Sequence, residues 1–206
     1  MIIDNLIQTE LLYKYRNALK KVILLDYDGT LVDYKPKPAQ AVPSDFLLNL
    51  LGILAKKPGT EVIIVTGRDD EDIESLLGNL PLDIIAGHGA MTKERGVWSS
   101  HAPGDVNWKE SIRTVMNEMS IQCPESFIED KRFSLAWHYR NADGTAGSFC
   151  SRLLLNKLGK YLVQYGLKVL NGNMVVEVMH NGIGKGTAVK KLMSAKQYDL
   201  LISIGD

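Results

Sequence analysis

Val22-Ile23-Leu24-Leu25-Asp26-Tyr27-Asp28-Gly29-Thr30 decides how the rest of this 206-residue chain is read. Four consecutive apolar residues running into a carboxylate predict a short strand buried on both faces, as in a parallel sheet. The same pattern recurs at residues 62–65, 84–86 and 200–204. Between the first two, Pro43-Ser44-Asp45 opens an apolar-periodic stretch that runs to Ala55 and is closed by Lys56-Lys57-Pro58-Gly59, a helix with both end signals. A second helix is predicted over 69–77, with acids in its first turns that suit the positive end of the helix dipole. Strand, helix, strand, helix, strand describes a doubly wound α/β sheet, a Rossmann-like core. Ahead of it, Leu6, Leu11, Leu12, Tyr15 and Leu19 recur at helical spacing, so the first twenty residues read as an amphipathic helix stopped by Lys20-Lys21.

From about Trp98 the pattern changes. A helix over 108–119 leads to strands at 127–130 and 133–139. A longer helix over 146–165 then leads to strands at 167–170 and 174–179, joined by Asn171-Gly172, a strong hairpin signal. Helix, two strands, helix, two strands make an antiparallel sheet with helices on one face, which is α+β in character. The α/β pattern resumes at Gly184. The sequence therefore divides into a core (1–104), an inserted α+β module (105–181) and a second core segment (182–206).

Composition narrows the function classes without choosing one. Hydrophobic residues make up 45% and charged residues 23%, enough apolar material for a real core. The 24 Lys+Arg balance the 24 Asp+Glu, so there is no electrostatic footprint for nucleic acid or an anionic membrane. No apolar run reaches the roughly 18 residues of a membrane span, and Met1 is not followed by a signal segment. Cys123 and Cys150 lack zinc spacing and the numbers of a disulfide framework. Two free thiols suit a reducing cytoplasm.

The chemistry-bearing residues gather at predicted strand ends, where open α/β sheets bind ligands. Asp26 and Asp28 straddle the end of the first strand and can face one crevice. A divalent cation between them would turn both into ligands. Gly29 allows a sharp turn that brings backbone amides towards an anion. Thr66-Gly67-Arg68 ends the second strand with a hydroxyl, a glycine and a helix N-terminus, the makings of a phosphate cradle. Gly184-Lys185-Gly186-Thr187 opens the helix that runs on through Leu192 and offers a lysine to a bound phosphate. It is not a P-loop, because Gly186 stands where that motif has Ser or Thr. Gly205-Asp206 returns another carboxylate to the same edge.

This set resembles the haloacid-dehalogenase superfamily of phosphotransferases over nearly the whole chain. Within it, three stretches are similar to the trehalose-6-phosphate phosphatases: Gly87-His88-Gly89-Ala90, the string from Glu129 to Arg140 with Lys131, Ser134, His138 and Tyr139, and Glu177-Val178. The resemblance implies a cap domain over a Rossmann-like core, and magnesium held by Asp26, the backbone carbonyl of Asp28 and Asp206. It implies Asp26 as nucleophile, Asp28 as general acid and base, and Thr66 and Lys185 on the phosphoryl oxygens. Gly67, Arg68, Glu129, Lys131, Arg140 and Glu177 would bind substrate, a small sugar phosphate. The expected reaction is hydrolysis of trehalose 6-phosphate, with a trehalose-6-phosphate synthase domain, in the same or another chain, as the expected partner. The family's fourth motif runs Gly-Asp-Asp-x-Thr-Asp-Glu, whereas this sequence stops at its first aspartate, so the second core segment reads as truncated. Two other readings stay open here. One is another capped sugar phosphatase or phosphomutase; the other is a non-catalytic regulatory domain of a synthase fusion, against which all of Asp26, Asp28, Thr66 and Lys185 are present.

Overall fold

The computed structural model describes residues 5–206. In chain order the elements are α1 (Asn5–Asn17), β1 (Lys21–Asp26), α2 (Asp45–Ala55), β2 (Thr60–Val65), α3 (Asp70–Leu77), β3 (Asp83–Ala86), β4 (Met91–Glu94) and β5 (Val97–Ser100). There follow α4 (Trp108–Gln122), β6 (Phe127–Asp130), β7 (Ser134–His138), α5 (Gly144–Tyr165), β8 (Leu167–Gly172) and β9 (Val175–His180). The chain closes with α6 (Lys185–Ala195) and β10 (Leu200–Ile204). It divides into two compact units, one running up to Ser99 and resuming over Lys185–Asp206, the other spanning Ser100–Gly184.

The first unit is built on a six-stranded sheet in the order β10-β1-β2-β3-β4-β5. The pairs β10–β1, β1–β2 and β2–β3 are parallel, and β4 runs antiparallel to β3. Val22 to Leu25 of β1 and Val62 to Val65 of β2 are buried, as a strand covered on both faces requires. Leu24, Ile63, Val65 and Ile85 meet Leu192 of α6 in one apolar cluster. Ser44 caps α2, its hydroxyl accepting from the Leu47 amide at 3.2 Å.

Two expectations change in this unit, and one element is added. Among the described residues the strand at 200–204 is an edge strand paired to β1, with Leu201 and Ile204 about half exposed, so its apolar run is not buried on both faces. The β4–β5 hairpin is an addition that the sequence reading did not contain. Its strands are four residues each and turn at Arg95-Gly96, both with positive φ. Finally, α1 starts within the expected N-terminal helix, whose residues 1–4 lie outside the described set. It ends at Asn17, short of Leu19, and exposes Ile7, Leu12 and Tyr13.

The second unit pairs a four-stranded antiparallel sheet, β6-β7-β9-β8, with α4 and α5. Alternation along the strands sorts its two faces. Leu135, Trp137, Val176 and Val178 point into a core with Trp108, Ile112, Met116, Met119, Leu154 and Leu158. Glu129, Ser134, Ala136, His138 and Glu177 belong to the opposite set, because Glu129 pairs with Ala136 and Ala136 with Glu177. The helix α5 is capped by Asp143, which accepts from the Thr145 and Ala146 amides, and it ends at left-handed Gly166. The β8–β9 turn falls at Asn173-Met174 and not at Asn171-Gly172, which pair inside the ladder with Val176 and Val175. The later turn lets Val169 face Val178 across the strands; the earlier one would have set Val169 against Met174 and shortened the ladder.

No described helix is long and apolar enough to cross a membrane. Both cysteines are free and buried.

Candidate active site

The site of the first unit starts where β1 ends. Asp26 closes the strand, and its Oδ1 accepts from the Tyr27 amide at 2.9 Å and from Lys185 Nζ at 2.8 Å. The lysine is the first residue of α6, so a helix start and a strand end deliver opposite charges to one point. Beyond Asp26 the chain reverses: Leu31 and Val32 amides both donate to the Tyr27 carbonyl, and the Gly29 amide donates to Val32. Gly29 sits at φ +85, and a Cβ there would lie 2.6 Å from Asp206 Oδ2 and 2.6 Å from the Tyr34 ring. Both the turn and the space therefore demand glycine.

Asp206 follows β10 and comes to the same place. A Cβ on its neighbour Gly205 would be 3.5 Å from the Asp26 Cβ. The Tyr34 hydroxyl makes a short hydrogen bond to Asp206 Oδ2. Burial first, then that bond and the charges of Asp26 and Asp28, push the Tyr34 phenol up to about 12. A cleft of about 290 Å³ beside this point is lined by Leu24, Asp26, Val65, Lys185, Val189 and Gly205, among others.

The second carboxylate, Asp28, is held from the neighbouring strand. Arg68 Nε and Nη2 donate to its two oxygens at 2.9 and 2.8 Å, a planar fork matched to a carboxylate. Arg68 Nη1 reaches Asp72 at 2.6 Å, Nη2 also donates to the Pro38 carbonyl at 2.9 Å, and the guanidinium lies 4.9 Å from the Tyr27 ring centre. The side chain is only 5% exposed. Burial alone would lower the Arg68 pKa, but Asp28 and Asp72 together raise it, so the cation is permanent. Thr66 is buried, and its Oγ1 accepts from the Arg68 amide at 3.1 Å. Gly67 lies against His88: a Cβ at position 67 would be 2.4 Å from the imidazole Nε2.

Oxygen donors dominate this edge. The carboxylates of Asp26 and Asp206 and the backbone carbonyl of Asp28 are hard ligands of the kind magnesium takes. Among the described residues no three Asp, Glu, His or Cys side chains form a metal cluster. The fit to the cation rests on the oxygen chemistry of these donors.

On the polar sheet face of the second unit, Glu129 Oε2 lies 2.7 Å from His138 Nε2, and Lys131 Nζ lies 3.1 Å from Glu177 Oε1. Ser134 Oγ donates to the same Glu177 oxygen at 2.6 Å. Burial pushes the Glu129 pKa up, but the His138 hydrogen bond and the charges of Lys131 and His138 outweigh it and hold the carboxyl below its ordinary value. His138 stacks on Phe127, its cross-strand partner, at 4.8 Å. Arg140 donates to the Asn173 carbonyl at 2.7 Å.

Of the predicted residues, the structure brings Asp26 to Lys185 and Asp28 to Arg68 in one unit, and gathers Glu129, Lys131 and Glu177 in the other. Sequence reasoning did not single out Tyr34 or Asp72. It quoted Ser134 and His138 within a motif but assigned them no role. Asp72 was recoverable, because Arg68 and Asp72 stand at i,i+4; nothing in the sequence points from Tyr34 to Asp206.

Comparison with known proteins finds relatives over nearly the whole chain. A bifunctional trehalose-6-phosphate synthase/phosphatase of Thermoproteus tenax is 39% identical over 193 residues, 93% of this chain and 26% of that protein. The chain spans about a quarter of the length of the curated relatives it matches. The C-terminal domain of C. albicans trehalose-6-phosphate phosphatase superposes with a TM-score of 0.92 at 30% identity, over 97% of this chain and 74% of that one. A haloacid dehalogenase-like hydrolase from B. subtilis shares the fold alone, with a TM-score of 0.59 at 16% identity over 90% of this chain and 82% of that one. A sequence profile of the trehalose-phosphatase family matches residues 24–206, from the strand that carries Asp26 to Asp206 itself, and the chain belongs to that family.

Proposed function

We propose that this chain hydrolyses trehalose 6-phosphate to trehalose and phosphate through a phosphoryl group carried briefly on Asp26. The observation that carries the reading is the Asp26–Lys185 pair beside the Asp28–Arg68 fork, at the carboxyl ends of two adjacent strands. Asp26 attacks phosphorus, and the sugar oxygen leaves, so one displacement becomes two easier ones. Lys185 and the Thr66 hydroxyl meet the phosphoryl oxygens, over which negative charge spreads in a loose transition state. Asp28 gives a proton to the departing sugar oxygen, then takes one from the water that releases phosphate. To carry that proton Asp28 must loosen one arm of the fork. Arg68 stays in place meanwhile, because Asp72 and the Pro38 carbonyl hold it separately. Asp26, the Asp28 carbonyl and Asp206 would hold magnesium, which when bound would supply positive charge between the two anions.

The unit over Ser100–Gly184 serves as the cap in this reading, and Glu129, Lys131 and Glu177 receive sugar hydroxyls there. Sugars need such fixed polar partners, since an unmatched buried hydroxyl costs about 1–3 kcal/mol. Arg68 contributes through Asp28. A trehalose-phosphate synthase is the natural partner, as the name of the T. tenax relative joins both activities, and the cytoplasm is the compartment where free thiols persist.

Phosphate release against a panel of trehalose 6-phosphate, sucrose 6-phosphate, glucose 6-phosphate and a mannosyl phosphate tests the reading. Trehalose 6-phosphate should be turned over best by a wide margin. Preference for another member of the panel would reject the substrate, and no release from any would reject the enzyme.

A further inference from the structure

His88 occupies a left-handed backbone conformation, uncommon for any residue that carries a side chain. Its φ and ψ are 55 and 22, between Gly87 at φ 53 and Gly89 at φ 102, so three successive residues are left-handed and only the middle one carries a Cβ. Glycine or asparagine fits such a position with less strain. Strain kept at one residue invites the question of what that side chain does.

The imidazole lies over Gly67, where Nε2 would stand 2.4 Å and Cε1 2.5 Å from a Cβ at that position. Two backbone bonds fasten the same turns together, from the His88 amide to the Thr66 carbonyl at 3.0 Å and from the Gly87 amide to the Arg68 carbonyl at 2.7 Å. The helix that starts with Lys185 also packs against the His88 turn. Gly67 joins Thr66, with its hydroxyl, to Arg68, with its fork on Asp28. Hydrogen bonds hold both of its peptide planes, the Thr66 carbonyl accepting from the His88 amide and the Arg68 amide donating to Thr66 Oγ1, and its missing side chain leaves a place beside them. The imidazole fills that place.

We infer that His88 is a positioning residue for the reaction: by packing on Gly67 it fixes the Thr66-Gly67-Arg68 turn, and through Arg68 the angle of Asp28. The inference rests on the proposed phosphatase reading, which names what that turn serves. It explains together why residue 67 is glycine and why residue 88 keeps an imidazole in a strained backbone.

The test uses the full chain with His88→Asn, which suits the left-handed backbone and removes the ring, and His88→Gly, which relieves the strain entirely. Turnover of trehalose 6-phosphate and of glycerol 2-phosphate should both fall in kcat, by about ten- to a hundredfold for a displaced catalytic group, with KM little changed. The thermal midpoint should be unchanged or raised, which a merely structural role would not produce. Imidazole added to His88→Gly should restore part of kcat. Gly67→Ala should be damaging alone and far less so combined with His88→Gly, because the clash is then gone. Wild-type kcat in both His88 variants, or a Gly67→Ala penalty independent of residue 88, would overturn the inference. Binding of inorganic phosphate, measured by calorimetry, separates the two readings. A wild type that binds phosphate but turns nothing over, with binding weakened about tenfold in His88→Asn, would reject the phosphatase and keep the positioning role. A wild type that neither binds nor releases phosphate overturns both.

Discussion

Replacing Arg68 with methionine should damage chemistry and stability together, by amounts the contacts allow us to work out. The side chain is 5% exposed and forks onto Asp28, reaches Asp72 and donates to the Pro38 carbonyl. Methionine fills much of the same volume and removes every one of those donors. A buried ion pair broken from one side costs about 3–5 kcal/mol. The Asp28 and Asp72 side chains, however, are 31% and 43% exposed and can take up water once released. That discounts the loss to about 2–4 kcal/mol, or very roughly 4–16 °C in thermal midpoint for a chain of this size. The kinetic effect should be larger. An unaligned Asp28 forfeits general acid–base catalysis, on the order of 10²–10⁴ in kcat. Arg68→Lys should fall between, since an ammonium can satisfy one carboxylate but not the fork. The assay compares three esters. Trehalose 6-phosphate and glycerol 2-phosphate both expel a poor alkoxide and should lose alike; para-nitrophenyl phosphate, with its better leaving group, should lose less. A loss confined to trehalose 6-phosphate would refute the reasoning, because it would mean that Arg68 binds sugar directly, the role first expected for it from the sequence. Near wild-type turnover in Arg68→Lys would refute it as well.

Other perturbations follow from the same geometry. Asp26→Asn, which keeps the shape but not the nucleophile, should abolish release from all three esters while leaving the thermal midpoint near the wild-type value; substantial turnover by the folded variant would move the nucleophile elsewhere. Lys131→Met or Glu129→Gln should cost about 1.5–3 kcal/mol in trehalose 6-phosphate kcat/KM, a loss expected for a hydrogen bond to a charged group, and should spare glycerol 2-phosphate; equal losses on both would make these residues supports of the sheet. Acid should weaken the second unit, because the Glu129 and Asp130 carboxyls are held below their ordinary values, burial being outweighed by His138 and Lys131 at the first and by Lys109 and Arg113 at the second. A depressed carboxyl pKa stabilises above the unfolded value, about 4.3 for Glu and 3.9 for Asp, and that contribution disappears as pH falls through the folded value. Chemical denaturation from about pH 6, where both groups are ionised, downward should show this loss, and Glu129→Gln should flatten it; identical pH dependence in the variant would assign the acid sensitivity to other groups.

What the sequence determined by itself was the local order and the chemistry at its breaks. Val22 to Leu25 could not face water on either side, so a buried parallel strand followed, and a carboxylate at its end had to lie at a sheet edge. Glycine at 29 and serine at 44 announced a tight turn and a helix cap through their own backbone and side-chain preferences. The resemblance of Asp26, Asp28, Thr66, Lys185 and the Glu129–Arg140 string to a known family then supplied roles that spacing alone did not. Only the tertiary structure decided which way long side chains reach. Arg68 could have pointed to a sugar, and it folds back on Asp28 because the parallel β1–β2 register sets Asp26 beside Val65 and so brings the two loops together. Tyr34 meets Asp206 across 172 positions in sequence, and His138 meets Glu129 because antiparallel pairing puts Phe127 opposite it. The hairpin turn moved to Asn173-Met174 for the same kind of reason. A local preference for Asn-Gly is weaker than a ladder that pairs Val169 with Val178 over a packed core. Contacts between residues far apart in the chain depend on register and crossover, and neither is written in any short window of sequence.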